Sequence, residues 1–230
     1  MAILDVMAAT RAGASGSNLT RKGIQTRERI VAAAAELMFE QGVAGTTLEQ
    51  VRAAAGVSSS QIYHYFTDKE ALVRAVIEYQ NETIVGGQEP MLARLDTLAG
   101  LRAWRDFLVA HQRQLGCRGG CPIGSLGSEL AEVDPQARTA VAAAFARWEA
   151  GIRGGLRAMH GRGELAGDAD PDKLATAILA GLQGALLLTQ LQRSTGPLET
   201  TLDTMLDLIA SLSVPPGARR RRQGRPAEGA

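Results

Sequence analysis

The side chains in this sequence best placed to act together are Ser59, Ser60, Gln61, Tyr63 and His64, crowded into one short polar stretch. Hydroxyls and an amide both donate and accept hydrogen bonds, while Tyr and His add flat contact area with a polar tip. Such a set suits base edges and phosphate oxygens better than it suits bond breaking. Catalysis finds little support elsewhere, because no Gly-rich phosphate loop, nucleophile elbow, His-Glu metal helix or close carboxylate pair occurs. Cys117 and Cys121, with the scattered His64, His111 and His160, form no recognisable ligand set, so no metal and no cofactor is implied. The two thiols lie near Arg113 and Arg118, which leaves a thiol sensor open beside plain packing.

For the polar stretch to act as one surface it must lie on a short helix held by neighbours. Thr47 precedes Gln50 by three places, Ser58 precedes Gln61 and Thr67 precedes Glu70. Each is a capping-box pattern, in which a hydroxyl and a longer side chain satisfy free backbone N–H groups at a helix start. Three in a row predict three consecutive helices. Gly56-Val57 supplies the turn between the first two, and Ala54-Ala55 lets them cross closely. Leu48, Val51, Val57 and Ile62 are spaced to form a small core. An earlier helix is expected over 26–41, with Ile30, Ala34, Leu37 and Met38 on one face and Gly42 as a left-handed cap. The pattern is that of a helix-turn-helix, although a helical hairpin with a solvated polar face fits the same residues.

Bulk composition sets the class. The 230 residues are 45% hydrophobic, 21% charged and only 4% aromatic, with no alternating β-branched runs, so an all-α fold is expected. Net charge is +1, and residues 20–70 carry equal numbers of acids and bases, so overall charge gives no sign of nucleic acid. Five arginines gather at the end, at 219, 220, 221, 222 and 225. Two cysteines cannot form a disulfide framework. No secretory signal is convincing, and the apolar stretch 174–191 is too polar and short for a clear membrane span, so a cytoplasmic location without a membrane partner is expected.

Beyond Leu72 the expected helices are coarser. One continues from Lys69 to about Gly86-Gly87, and another spans 101–115 with Trp104, Phe107 and Leu108 inward. Residues 117–127 read as a turn or broken helix. Pro135 opens a long helix with the stripe Val141, Phe145, Trp148, Ile152, Leu156 and Met159. A helix from Pro171 to about Arg193 and a last one over 198–212 complete the body. The expected division is a flexible arm at 1–19, a helix-turn-helix domain at 20–68, a helical body at 69–214 and a disordered basic tail at 215–230.

The run Thr46-Thr47-Leu48-Glu49-Gln50-Val51-Arg52-Ala53-Ala54-Ala55-Gly56-Val57-Ser58, continuing through Ile62-Tyr63-His64-Tyr65-Phe66 to Lys69-Glu70-Ala71-Leu72, closely resembles the N-terminal domain of TetR-family regulators. Thr26-Arg27-Glu28-Arg29-Ile30 and Ala33-Ala34-Ala35-Glu36-Leu37 resemble that family's first helix. The resemblance implies a three-helix DNA-binding domain at 20–68 on a helical ligand-binding and dimerisation domain at 69–214, and a ligand-responsive regulator, most simply a repressor. It implies that Ser58, Ser59, Ser60, Gln61, Tyr63 and His64 face the major groove or flanking phosphates of double-stranded operator DNA. Thr47, Tyr65 and Lys69 would bond phosphates, Lys69 at a helix N-terminus. Arg21 and Lys22 would reach the DNA backbone or simply be solvated.

The segment from Gly120-Cys121-Pro122 to Leu130-Ala131-Glu132 resembles the C-terminal domain of TetR relatives of the LmrA/YxaF type. That implies a small hydrophobic or aromatic effector, with Trp104, Phe107, His111, Cys121, Phe145, Trp148 and Met159 as candidate lining residues beside a plain packing role for each. A homodimer on a palindrome is implied too. Leu182, Leu186, Leu202, Met205, Leu206 and Ile209 would build its four-helix interface, or else be buried within one subunit. A constitutive DNA-binding protein, with the arginine tail adding salt-sensitive affinity, is the rival reading.

Overall fold

The computed structural model describes residues 20–214; the expected arm at 1–19 and basic tail at 215–230 lie outside the described residues. Among the described residues the regular structure is helical, with one isolated bridge between Leu165 and Ser213. The all-α expectation holds.

Thr20 caps α1 (Arg21–Gly45), its hydroxyl accepting from Gly23 N at 3.2 Å. Ile30, Val31, Ala34, Ala35 and Met38 recur at helical spacing and are all buried. The helix starts earlier than its apolar stripe because Thr20 is the N-cap. Gly42 interrupts it with φ 78° and ψ 165°, a region open only to glycine and distinct from the left-handed cap expected there. Thr46 Oγ1 then donates back to Gly42 O at 2.8 Å.

Three short helices follow: α2 (Leu48–Ala55), α3 (Ser59–Tyr65) and α4 (Lys69–Gln80). Capping boxes open α2 and α3 as the spacing predicts, Thr47 with Gln50 and Ser58 with Gln61. The third box is not formed. Asp68, one residue after Thr67, caps α4 by accepting from Ala71 N at 2.7 Å, and Thr67 Oγ1 donates to Asp68 instead. A carboxylate is the stronger acceptor for an exposed N–H at a helix start, where the dipole also favours negative charge. A π-helical turn (Asn81–Val85) and a short 3-10 turn (Gly86–Gln88) follow α4.

The remaining helices are α5 (Glu89–Leu92), α6 (Leu98–Gln114), α7 (Pro122–Leu130), α8 (Pro135–Gly161), α9 (Pro171–Gln192) and α10 (Gly196–Ser211). The segment expected to be a turn or broken helix is both: a turn to Cys121, then α7. Packing divides the described chain into two compact units. The first takes residues up to Gly87 together with Pro122–Ala144, and the second takes Gln88–Cys121 and residues from Phe145 onward.

In the first unit α1 packs on α2, α4 and α7. In the second, α10 packs along both α6 and α9. Gly181 allows the close approach of α9 and α10, since a Cβ there would stand 3.1 Å from Thr201 Cγ2. Gly155 does the same for α8, where a Cβ would fall 2.6 Å from the Leu95 carbonyl oxygen. The helix α9 is long and apolar enough to cross a membrane by length and composition. Its Leu174, Ile178, Leu182 and Leu186 are nonetheless buried within the unit, as in the core helix of a globular protein.

Candidate nucleic-acid interface

The second helix of the pair is short because its ends are fixed from inside the sequence. Ser58 Oγ accepts from Gln61 N at 3.2 Å, and Gln61 Oε1 accepts from Ser58 N at 2.8 Å. At the other end Phe66 closes α3, its N–H donating to Ile62 O at 2.9 Å. The turn before it depends on Gly56, at φ 62° and ψ 42°. Left-handed backbone of this kind costs a side chain roughly 1 kcal/mol and glycine almost nothing. Arg29 of α1 reaches across and donates to Ala55 O at 3.1 Å, filling a carbonyl left open at the end of α2.

This framework buries Val51, Val57, Ile62 and Phe66, while Leu48 stays half-buried. Arg27 lies over the Phe66 ring, 5.4 Å from its centroid. With Ile62 holding the inner side, Ser58, Ser59, Ser60, Gln61, Tyr63 and His64 are all exposed. Tyr63 is the most telling, with 59% of its surface open. Tyr65 is half-buried, and the His64 ring meets it edge-on with centroids 4.9 Å apart.

Not every expected contact residue is equally free. Gln61 Oε1 is committed to the box, so its amide faces outward only as a donor. Bidentate pairing with adenine needs both amide atoms and would break the cap. The Ser58 hydroxyl lies 3.0 Å from that of Ser60. Thr47 Oγ1 accepts from Gln50 N at 3.2 Å and donates to Gln50 Oε1 at 3.0 Å. Ser59, Tyr63 and His64 carry no such cap duty. Arg21 and Lys22 are exposed in the first turn of α1. Lys69 is half-buried at the start of α4, on an open cleft shared with Val43, Arg74 and Asp134.

Two residues important to this head are missing from the sequence-based set. Glu129, on α7, accepts from Val43 N at 2.7 Å, beside the Gly42 break in α1. Asp68 holds α4, and the Ala71 N–H and then the Thr67 hydroxyl keep its carboxyl below the usual range. An acid directly before Lys-Glu is a readable cap signal. The 86-residue separation between Val43 and Glu129 leaves no such mark.

The second unit disposes the expected effector residues less evenly. Trp104, Trp148 and Met159 are buried at 2% exposure, Cys121 at 9%, while Phe107, His111 and Phe145 are half-buried. Phe107 and His111 stack with planes 5° apart and centroids 6.2 Å apart. Trp104 spends its Nε1–H on Gln88 Oε1 at 2.8 Å, a buried bond that makes it a core post. Cys117 and Cys121 are both buried and are not joined by a disulfide. Among the described residues no group of three His, Cys, Asp or Glu could hold a metal ion.

The expected interface residues divide by burial, four of them taking the packing role within one subunit that the sequence left open. Leu182, Leu186, Leu202 and Ile209 are buried at 4% exposure or less by the packing of the protomer itself. Met205 and Leu206 are half-buried. The apolar residues left open on the same helices are Leu187, Leu188, Leu191 and Leu208, at 55, 46, 69 and 44%. On a helix apolar nearly all round, periodicity cannot tell the inner face from the outer one.

Comparison with known proteins gives a consistent result. Residues 30–76 match the model of bacterial regulatory proteins of the tetR family, and residues 97–205 match that of the tetracyclin repressor-like C-terminal domain. A TetR transcriptional regulator from Chloroflexus aurantiacus is similar in structure, with TM-score 0.73 and 30% identity over 84% of this chain and 98% of its own. The transcriptional regulator AcuR of Cereibacter sphaeroides is 29% identical, over 75% of this chain and 80% of its own. The complex of SmeT with triclosan shares the fold, with TM-score 0.63 and 24% identity over 84% of this chain and 93% of its own.

Proposed function

The chain belongs to the TetR family of transcriptional regulators, and we propose that it is a one-component repressor released from DNA by a small effector. The observation that carries this is the exposed face of α3, where Ser59, Tyr63 and His64 stand free of cap duty on a helix anchored by Ile62. Together with Ser60 and the donor side of Gln61 they read the major groove of a palindromic operator. Thr47, Ser58, Tyr65 and Lys69 hold the flanking phosphates, with Arg21 and Lys22 adding backbone contact.

A single short helix reads few base pairs, so the operator-bound form is a homodimer. Its interface is the outer stripe of α9 and α10: Leu187, Leu188 and Leu191 with Met205 and Leu208. Spacings of one, three and four place the α9 leucines on one side of the helix, where they and Leu208 are exposed among the described residues and Met205 is half-buried. The body takes a small hydrophobic or aromatic effector, as the solved complex of SmeT holds triclosan, with Trp148, His111, Phe107, Phe145, Met159 and Cys121 near it. The 120–132 segment aligns the body with the LmrA/YxaF type. The effector acts by binding better to a form whose heads no longer fit both half-sites. Repression in the cytoplasm follows from occlusion of the operator.

The test is selection from random DNA followed by footprinting. A palindromic consensus with protected half-sites about one helical turn apart supports the reading; absence of sequence preference sinks it. Within that system Tyr63→Ala should lower affinity about 5- to 30-fold at unchanged salt slope. Lys69→Gln should flatten the slope of log affinity against log salt by roughly 0.9. Sedimentation of Leu188→Glu should show a monomer if the outer stripe is the interface.

A further inference from the structure

The interior of the second unit holds polar atoms that no protein group bonds. They are His111 Nδ1 and Gln112 Oε1 on α6, Trp148 Nε1 and His160 Nε2 on α8, and Gln183 Nε2 and Thr189 Oγ1 on α9. Three of these residues are almost wholly enclosed: Gln112 at 3%, Trp148 at 2% and Thr189 at 0% exposure. Buried polar groups are nearly always hydrogen-bonded, because each orphan costs roughly 1–3 kcal/mol. Trp104 shows the ordinary solution in the same unit, with its indole N–H given to Gln88. Trp148 has the same group and is given no such acceptor.

Charge is the second observation. Among the described residues, those buried in this unit include no Asp, Glu, Lys or Arg; its buried polar residues are Gln88, Gln112 and Thr189. Its arginines are engaged nearer the surface, Arg105 with Asp203 and Arg157 with Asp172. Burial pushes the half-buried His111 imidazole below its ordinary pKa, toward the neutral form at pH 7. A carboxylate or ammonium brought into such an interior would be an unpaired buried charge, costing several kcal/mol.

We propose that the effector of this body is an uncharged molecule with both hydrogen-bond acceptors and donors, met by Trp148 Nε1 and Gln183 Nε2 as donors and by Gln112 Oε1 as acceptor. Thr189 and His111 serve either role. The proposal rests on the reading of the chain as ligand-responsive, and it narrows that reading from apolar or aromatic compounds to neutral ones with paired polar groups. Aromatic amides and phenolic ketones belong to this class, while aromatic acids and amidines do not.

The test has two arms on the full chain. Without added ligand, Thr189→Val and Gln112→Leu each remove an unbonded polar group, and each should raise the melting temperature or leave it unchanged, by up to about 2–4 °C. A fall in both would mean that these atoms are already satisfied, and it overturns the proposal. The second arm measures calorimetric binding of naphthamide, naphthoate and naphthamidine with the same ring attachment, which are neutral, anionic and cationic at neutral pH. Naphthamide should bind at least about tenfold more tightly than either ion, and Trp148→Phe should weaken it by about tenfold. Equal or tighter binding of an ion, no binding of naphthamide, or indifference to Trp148→Phe overturns the proposal. Operator release in the same mixtures separates the two levels: release by naphthoate alone refutes the neutral site but keeps ligand response. Naphthamide binding at the predicted residues without release refutes ligand response but keeps the site.

Discussion

Arg193 Nη1 donates to the Cys117 carbonyl at 3.1 Å, joining the two non-glycine residues with positive φ among those described, at 52° and 55°. Arg193 ends α9 in the left-handed conformation and Cys117 lies in the turn after α6, so one bond ties two strained ends together. Gly120 in the same turn packs on α9, with its would-be Cβ 2.7 Å from Gln190 Oε1. Arg193→Ala keeps the strain and removes the bond, and should cost about 1–2 kcal/mol. Arg193→Gly removes both and should recover roughly 1 kcal/mol of that. Urea unfolding of the pair checks the difference; equal stability of the two variants would show that the backbone is not strained here.

Gln61 gives its amide oxygen to the fold and, in the proposed function, its amide nitrogen to the DNA. Gln61→Glu keeps the cap acceptor, so stability should stay within about 0.5 kcal/mol of the parent. A carboxylate facing phosphates should nevertheless weaken operator binding by about tenfold or more at low salt. Gln61→Ala should show the opposite balance, losing about 0.5–1 kcal/mol of stability through the broken box. Thermal unfolding set beside a binding isotherm separates the two effects.

Gly42 and Glu129 form a locked pair. A Cβ at Gly42 would stand 3.0 Å from Glu129 Oε2 in a backbone region closed to other residues. Gly42→Ala should therefore cost about 2–3 kcal/mol, whereas Glu129→Gln, which keeps an acceptor for Val43 N–H, should cost under about 1 kcal/mol. Glu129→Ala should fall between them. The ranking by chemical denaturation is the check.

His111 makes the body sensitive to acid. Burial lowers its pKa in the folded state, so the unfolded chain takes up the proton first as pH falls below the ordinary value near 6.5. Folding stability contributed by the neutral imidazole is therefore present above that pH and is lost on acidification. His111→Gln should lose less stability than the parent between about pH 7 and 5. Parallel curves for the two proteins would contradict this.

The head was legible because its devices are local. Two of three capping boxes, the Gly56 turn and the Ile62 anchor all sit within a few residues of what they control. The third box failed through competition between neighbours: Thr67 and Asp68 both fit the cap, and the carboxylate took it. The contact between Val43 and Glu129 was not legible, since nothing local in either segment encodes the other. In α9 the difficulty was excess of signal. With Leu182, Leu186, Leu187, Leu188 and Leu191 on one helix, composition says that much is buried but not which side the protomer covers itself.

The self-contained caps of α3 bear on how this protein can change its target. Ser58 and Gln61 secure the helix, and Ile62 and Phe66 seat it, leaving Ser59, Ser60, Tyr63 and His64 free of cap duty, with the Ser58–Ser60 hydroxyl contact and the His64–Tyr65 ring contact beside it. Those four positions form an exchangeable alphabet on a fixed reel. A combinatorial library confined to them should yield folded proteins throughout, and retargeting to new operators would need no compensating change in the rest of the chain.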